Sequence, residues 1–215
     1  MNTSRRTFLK RSALALASVP VLTREILAAK KPEIVGIQLY SVREDMKKDP
    51  LGTLKQLAGM GYQHVEHANY VNRKFYGYSP IEFKKVLGDL GLKMPSGHTV
   101  MGKVHWDATS KDFTDAWKYT VEDAAAVGQQ IVISPSLEES LRKTYDDLVR
   151  YMDVFNKSGE LCQKSGMKFG YHNHDFEFSE KLNDRTVYEH ILENTDPQLV
   201  VQQLDIGNLI GGGGN

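Results

Sequence analysis

Residues 33–43 read EIVGIQLYSVR. Ile34, Val35, Ile37 and Leu39 form a short apolar run of the kind that crosses a buried parallel sheet, so a strand is expected over residues 33–39. The turn after that strand decides the architecture. A dinucleotide-binding, doubly wound sheet carries Gly-x-Gly-x-x-Gly at this turn, whereas here the chain reads Tyr40-Ser41-Val42-Arg43. Repeated strand–helix units without that motif favour the (β/α)8 barrel.

The units do repeat. Further strands are expected over residues 63–68, 92–96, 130–134, 167–172 and 199–204. Between them helices are expected over residues 50–60, 80–90, 112–127 and 185–193, with a longer one inside 136–165. In that long helix Leu141, Tyr145, Leu148, Met152 and Phe155 recur four and three residues apart along one face. Gly61, Gly91 and Gly128 follow three of the helices, as helix C-termini prefer. The expected class is therefore α/β, a TIM-barrel type represented here by about six βα units.

Composition sets the outer bounds. The chain has 215 residues, 40% of them hydrophobic and 25% charged, as in ordinary globular proteins. Five of its 27 basic and one of its 27 acidic side chains lie in the first 29 residues, so the body carries 22 against 26, a net charge of −4. A slightly acidic body has no basic footprint for nucleic acid, and no such partner is expected. Cys162 is the only cysteine, so no intramolecular disulfide can form. At the N-terminus, Arg5-Arg6 precedes the apolar run Ala13–Leu22 and then Ala28-Ala29. This is the layout of a secretory signal, and the paired arginines are similar to a twin-arginine signal. The run is too short to span a bilayer comfortably, so no stable membrane anchor is expected. Residues 1–29 are expected to direct the folded protein through the twin-arginine machinery to the periplasm, and residues 30–215 to form the barrel domain.

In barrels the chemistry sits at the carboxyl ends of the strands. Those ends supply Gln38, Tyr40 and Arg43, then Glu66, His67 and Asn69, then His98, then Ser134. The fifth supplies YHNHDFEF at residues 171–178, and the sixth Gln203, Asp205 and Asn208. Histidine, aspartate and glutamate, recurring at four of the six ends, are donors that suit Mn, Zn, Co or Mg.

His172-Asn173-His174 with Phe176-Glu177-Phe178, then Gln203-Leu204-Asp205-Ile206-Gly207-Asn208, resembles the sugar phosphate isomerase/epimerase family of xylose-isomerase-like barrels. Residues 36–43 and the segment Gly61-Tyr62 to Val65-Glu66 match as well. The resemblance implies a divalent metal held by groups after strands five, six, seven and eight. Asp205 matches the strand-six ligand. The strand-five ligand is open among His172, His174 and Glu177. Glu66, His98 and Glu177 are candidate acid–base groups, and Gln38, Arg43 and Asn208 candidate hydroxyl binders. Trp106 either stacks on a sugar or packs its loop. The expected activity is a metal-dependent isomerase or epimerase acting on a sugar or keto-sugar, with proton transfer next to a carbonyl through an enediolate. Alternatives are a lyase or hydrolase of keto-glycosides, a carbohydrate-binding protein, or an inactive fragment. A barrel of this class takes about 250 residues and eight strands. The chain ends soon after strand six, so it is expected to be a truncated form of a longer protein.

Overall fold

The computed structural model describes residues 36–214. The expected signal segment and the first residues of strand one lie outside the described residues. Six strands form one parallel sheet: β1 (Ile37–Gln38), β2 (His64–His67), β3 (Lys93–His98), β4 (Ile131–Ser134), β5 (Lys168–His172) and β6 (Val200–Gln203). Their order in the sheet is their order in the chain, and every neighbouring pair is parallel. A doubly wound sheet reverses direction partway; this one does not, which is barrel winding. The main connecting helices are α1 (Pro50–Gly59), α2 (Pro80–Asp89), α3 (Asp115–Val127), α4 (Tyr145–Gln163) and α5 (Val187–Asn194), and α6 (Ile206–Gly211) comes after β6.

The sheet is curled. Three strands separate β2 from β6, so in a flat sheet these two would lie about 19 Å apart, at four spacings of about 4.8 Å. Yet Gln203 Nε2 of β6 donates to Glu66 Oε2 of β2 at 2.8 Å. Only an arc, the partial wall of a barrel, brings those side chains together.

Strands and helices fall close to their expected ranges, and the differences have local causes. Helix α3 starts at Asp115 rather than 112 because Asp112–Phe113 pairs back on Trp106–Asp107 as a hairpin. Two further hairpins, Tyr70–Val71 with Lys74–Phe75 and Lys181–Leu182 with Arg185–Thr186, form inside loops. Their turns place Asn72, Arg73, Asn183 and Asp184 at positive φ. The segment after β6 is helical, because the Asp205 side chain accepts the Asn208 N–H at 2.8 Å and caps α6. Gly128 closes α3 in the left-handed region, φ 101°, where a side chain would be strained.

Helices cover the outer face. Trp117 of α3 and Phe155 of α4 pack on Phe169 of β5, and the Trp117 indole N–H donates to Ser158 Oγ at 2.9 Å. Leu148, Met152 and Phe155 are buried on the face their spacing defines. A second cluster joins Leu54 and Leu57 of α1 to Phe83 and Leu87 of α2 beneath Val65. Among the described residues, no helix is long and apolar enough to cross a membrane.

His67 lies on this outer face, buried against Phe75, with no hydrogen-bond partner for Nδ1. Burial, aided by the nearby His98, lowers its pKa from an ordinary 6.5 to about 3. Folded His67 thus stays neutral while the unfolded chain takes up a proton below 6.5. Its contribution to stability is complete above that pH and drains away as pH falls toward 3. At about 1.4 kcal/mol per unit, roughly 2–3 kcal/mol should disappear between pH 7 and 4.5. Urea melts at both values will check this: His67→Leu is expected to show a smaller loss than wild type by about that amount. An identical loss in the variant assigns the acid sensitivity elsewhere.

Candidate active site

Parallel pairing aligns the polar strand ends. Gln38 stands opposite Glu66, Glu66 opposite Ser96, and Gln203 opposite His172. Because side chains alternate along a strand, Glu66 points to the inner face of the arc while Val65 and His67 point outward to the helices. Glu66 is the hub. Its Oε1 accepts from Gln38 Nε2 at 3.0 Å and lies 3.1 Å from His98 Nε2. Its Oε2 accepts from Ser96 Oγ at 2.5 Å and Gln203 Nε2 at 2.8 Å. Burial raises the pKa of this carboxyl, but His98, Ser96 and Gln203 together outweigh it and bring the value from 4.5 down to about 2. A carboxylate so well solvated by donors is a weak base at neutral pH. Glu66 is suited to orient His98 rather than to take a proton itself.

Beside this hub lie His172 and Asp205, Nε2 to Oδ2 at 3.8 Å. Asn173 fixes the spacing of their two loops. Its Oδ1 accepts the Asp205 N–H at 2.8 Å, its Nδ2 donates to the Asp205 carbonyl at 3.1 Å, and its own carbonyl accepts Asn208 Nδ2 at 3.1 Å. The rings of His172 and His98 are 4.9 Å apart, and those of His172 and His174 5.3 Å. Burial, with the neighbouring His98 and His174, lowers the His172 pKa.

These groups floor a cleft of about 1070 Å³ at the C-terminal end of the sheet. Gln38, His98, His172, His174, Asp205 and Asn208 all line it. Its outer wall holds Tyr40, Tyr70, Arg73 and Tyr119. That wall is pinned to α3: Arg73 donates to both oxygens of Asp123 at 2.9 and 2.7 Å, and Tyr70 donates to Asp123 at 2.6 Å. The Arg73 guanidinium lies 4.2 Å over the Tyr119 ring.

Three residues singled out from sequence lie elsewhere. Glu177 is fully buried, its carboxylate accepting the Tyr171 hydroxyl and the His174 N–H, the latter at 2.7 Å. Burial pushes its pKa up. The one-turn helix Phe176–Ser179 turns this carboxylate inward, so it braces the loop that carries His174 instead of facing the cleft. Trp106 packs edge-on against Phe113 and onto the main core cluster. Arg43 lies over the Tyr40 ring at 4.4 Å, beside a smaller depression next to the main cleft. Conversely, Ser96 carries a site contact that the sequence did not announce, and Asn173 and Gln203, visible at strand ends but given no role there, carry others. Position on the inner-facing register was the available signal for Ser96 and Gln203.

For a divalent cation, His172 Nε2 and Asp205 Oδ2 offer a nitrogen–oxygen pair of suitable chemistry. His174 Nδ1 next to them is buried without a partner. Among the described residues no three His, Cys, Asp or Glu groups converge on one point. The donor set fits such an ion as one side of a site.

An in-order parallel arc with acidic and imidazole groups at its carboxyl end defines a barrel of the (β/α)8 class. The sequence profile of the Xylose isomerase-like TIM barrel family matches residues 54–215, and the chain belongs to that family. Similar solved structures include a sugar phosphate isomerase/epimerase from Parabacteroides distasonis, 26% identical, with a TM-score of 0.73 over 87% of this chain and 73% of that one. A D-psicose 3-epimerase, solved in the presence of D-fructose, is 16% identical with a TM-score of 0.57 over 75% and 60%. An AP endonuclease, family 2, from Brucella melitensis is 12% identical with a TM-score of 0.58 over 82% and 69%. The last two likenesses are of fold. No curated protein matches the chain.

Proposed function

We propose that this protein is a metal-dependent isomerase or epimerase that moves a proton next to the carbonyl of a sugar or keto-sugar. The observation that supports it best is the pairing of His172 and Asp205 beside a carboxylate-backed imidazole, His98, on the floor of one cleft. His172 and Asp205, with His174 adjacent, would hold the divalent cation, and the chemistry it would supply there is polarisation of a substrate carbonyl, which makes the neighbouring C–H group acidic. The resemblance implies further ligands after strands seven and eight, which lie outside the six strands described. His98 is the proton acceptor: Glu66 stabilises the imidazolium as it forms, and Gln38 Nε2, 2.8 Å from His98 Nδ1, marks the place a substrate group takes. Asn208 and Gln38 orient hydroxyls. The cleft exceeds what one sugar ring fills, which favours a second reading, eliminating or hydrolytic chemistry on glycosides of keto-sugars. Arg5-Arg6 ahead of the apolar run supports export to the periplasm, where such unphosphorylated substrates occur.

The test is exchange of substrate C–H protons with solvent deuterium, monitored by NMR over a panel of ketoses and keto-glycosides with and without added Mn or Zn. Exchange only with metal is the expected result. A melting temperature that rises with sugar, without any exchange, identifies a carbohydrate-binding protein instead.

A further inference from the structure

Gln203, at the end of β6, touches three groups of the site at once. Its Nε2 is 2.8 Å from Glu66 Oε2, and its Oε1 is 2.6 Å from His98 Nε2 and 3.0 Å from His172 Nδ1. The partners of this amide set its orientation. An ionised carboxylate only accepts hydrogen bonds, and Glu66, with its pKa at about 2, is ionised throughout the neutral range. Turning the amide over would set Gln203 Oε1 against Glu66 Oε2 with no proton between them. The NH2 group therefore faces Glu66, and the oxygen faces the two rings. A carbonyl oxygen has two lone pairs and can satisfy two N–H donors.

Each ring must then carry its proton on the nitrogen turned toward Gln203, which is Nε2 in His98 and Nδ1 in His172. A neutral imidazole has one N–H, so the other nitrogen is an acceptor. In His98 that nitrogen is Nδ1, and Gln38 Nε2 lies 2.8 Å from it. In His172 it is Nε2, which stands 3.8 Å from Asp205 Oδ2. Two acceptors facing each other with no proton between them form half of a site for a shared electrophile.

We propose that Gln203 is a positioning residue that locks His172 as its Nδ1–H tautomer and turns the Nε2 lone pair toward Asp205. The tautomer is fixed by Gln203 and Glu66 alone; its use for binding a cation rests on the function proposed above. A hydrogen bond on the far nitrogen is the general means by which proteins fix an imidazole ligand, and losing such a support typically costs about 10–100-fold in metal affinity. Glutamine does this here through an oxygen whose orientation is anchored by a carboxylate on the opposite side of the arc.

The experiment is a long-range proton–nitrogen NMR spectrum of the imidazole groups in the 15N-labelled, metal-free protein at about pH 8, above the ordinary histidine range. Signals are assigned by their loss in His172→Asn and His98→Asn. His172 is expected to show a protonated Nδ1 and a bare Nε2, the minor form of free histidine, and His98 the reverse. A His172 protonated at Nε2 overturns the proposal. In Gln203→Met, which keeps size but removes the acceptor, His172 is expected to revert to Nε2–H, with Mn affinity by calorimetry about 10-fold or more weaker. Retention of Nδ1–H in that variant also overturns it. The wild-type tautomer is read without a substrate and without Gln203→Met having to fold. A wild type with the Nδ1–H tautomer that binds no Mn sinks the metal reading and leaves the role of Gln203 standing, so the two failures are told apart.

Discussion

Asp205→Asn is expected to lower metal-dependent deuterium exchange by about 10²–10³-fold, the scale of losing one preorganised electrostatic group, and to weaken metal binding in parallel. Two roles meet in this side chain, and the substitution separates them. Oδ1 caps α6 by accepting the Asn208 N–H, which an asparagine carbonyl does almost as well. Oδ2 faces His172 Nε2, and on the proposed reading its negative charge is what would hold the cation. The backbone of Asp205 is held independently by Asn173. The metal-free melting temperature should therefore change by only a degree or two, since a preserved cap leaves less than about 1 kcal/mol to lose. Exchange that survives the substitution places the ligand elsewhere. Loss of exchange together with a large fall in melting temperature shows that α6, and not the charge, was the casualty.

The second large effect concerns Gly97→Val. A Cβ at this position of β3 would come 1.8 and 2.0 Å from ring atoms of His67, and 2.8 Å from Gln129 Nε2. His67 cannot swing aside: it is 1% exposed and meets Phe75 edge-on at 4.8 Å. Overpacking of this kind costs about 3 kcal/mol, or about 10 °C in melting temperature for a chain of this size. Thermal melts of Gly97→Ala, His67→Ala and their double variant test the cause directly. The double variant should be more stable than the sum of the two single losses implies, because removing the ring makes room for the methyl. Strict additivity would mean that the contact with His67 is not what excludes a side chain here.

Much of the frame could be read from residue order. Short apolar runs punctuated by glycine locate all six strands, and the spacing in α4 predicts the buried face of Leu148, Met152 and Phe155. These signals are local: a strand's burial and a helix's stripe are written in neighbours two to four residues apart. The turn at Tyr40-Ser41-Val42-Arg43 already weighed against a doubly wound sheet, and the in-order pairing bears that out. Asp205, His172 and His98 were visible as candidates because each is a chemically distinctive residue at a strand's carboxyl end, and all three line the cleft.

The points that residue order left open depend on contacts between distant parts of the chain. Glu177 looks like a ligand in YHNHDFEF, yet a single helical turn sends its carboxylate to Tyr171. Trp106 is open between stacking on a sugar and packing its loop, and the hairpin with Phe113 sets it, partly buried, against the core. Gln203, an amide with no chemistry of its own, becomes the joint between Glu66, His98 and His172, with 137 residues separating it from Glu66. Local patterning settled which segments are strands and which residue types stand at their ends. Only the curl of the sheet, which brings β6 back to β2, decided which of those ends touch. A hydrogen bond across the arc depends on the curvature set by packing over the whole outer face, and that leaves no mark in any short window of sequence.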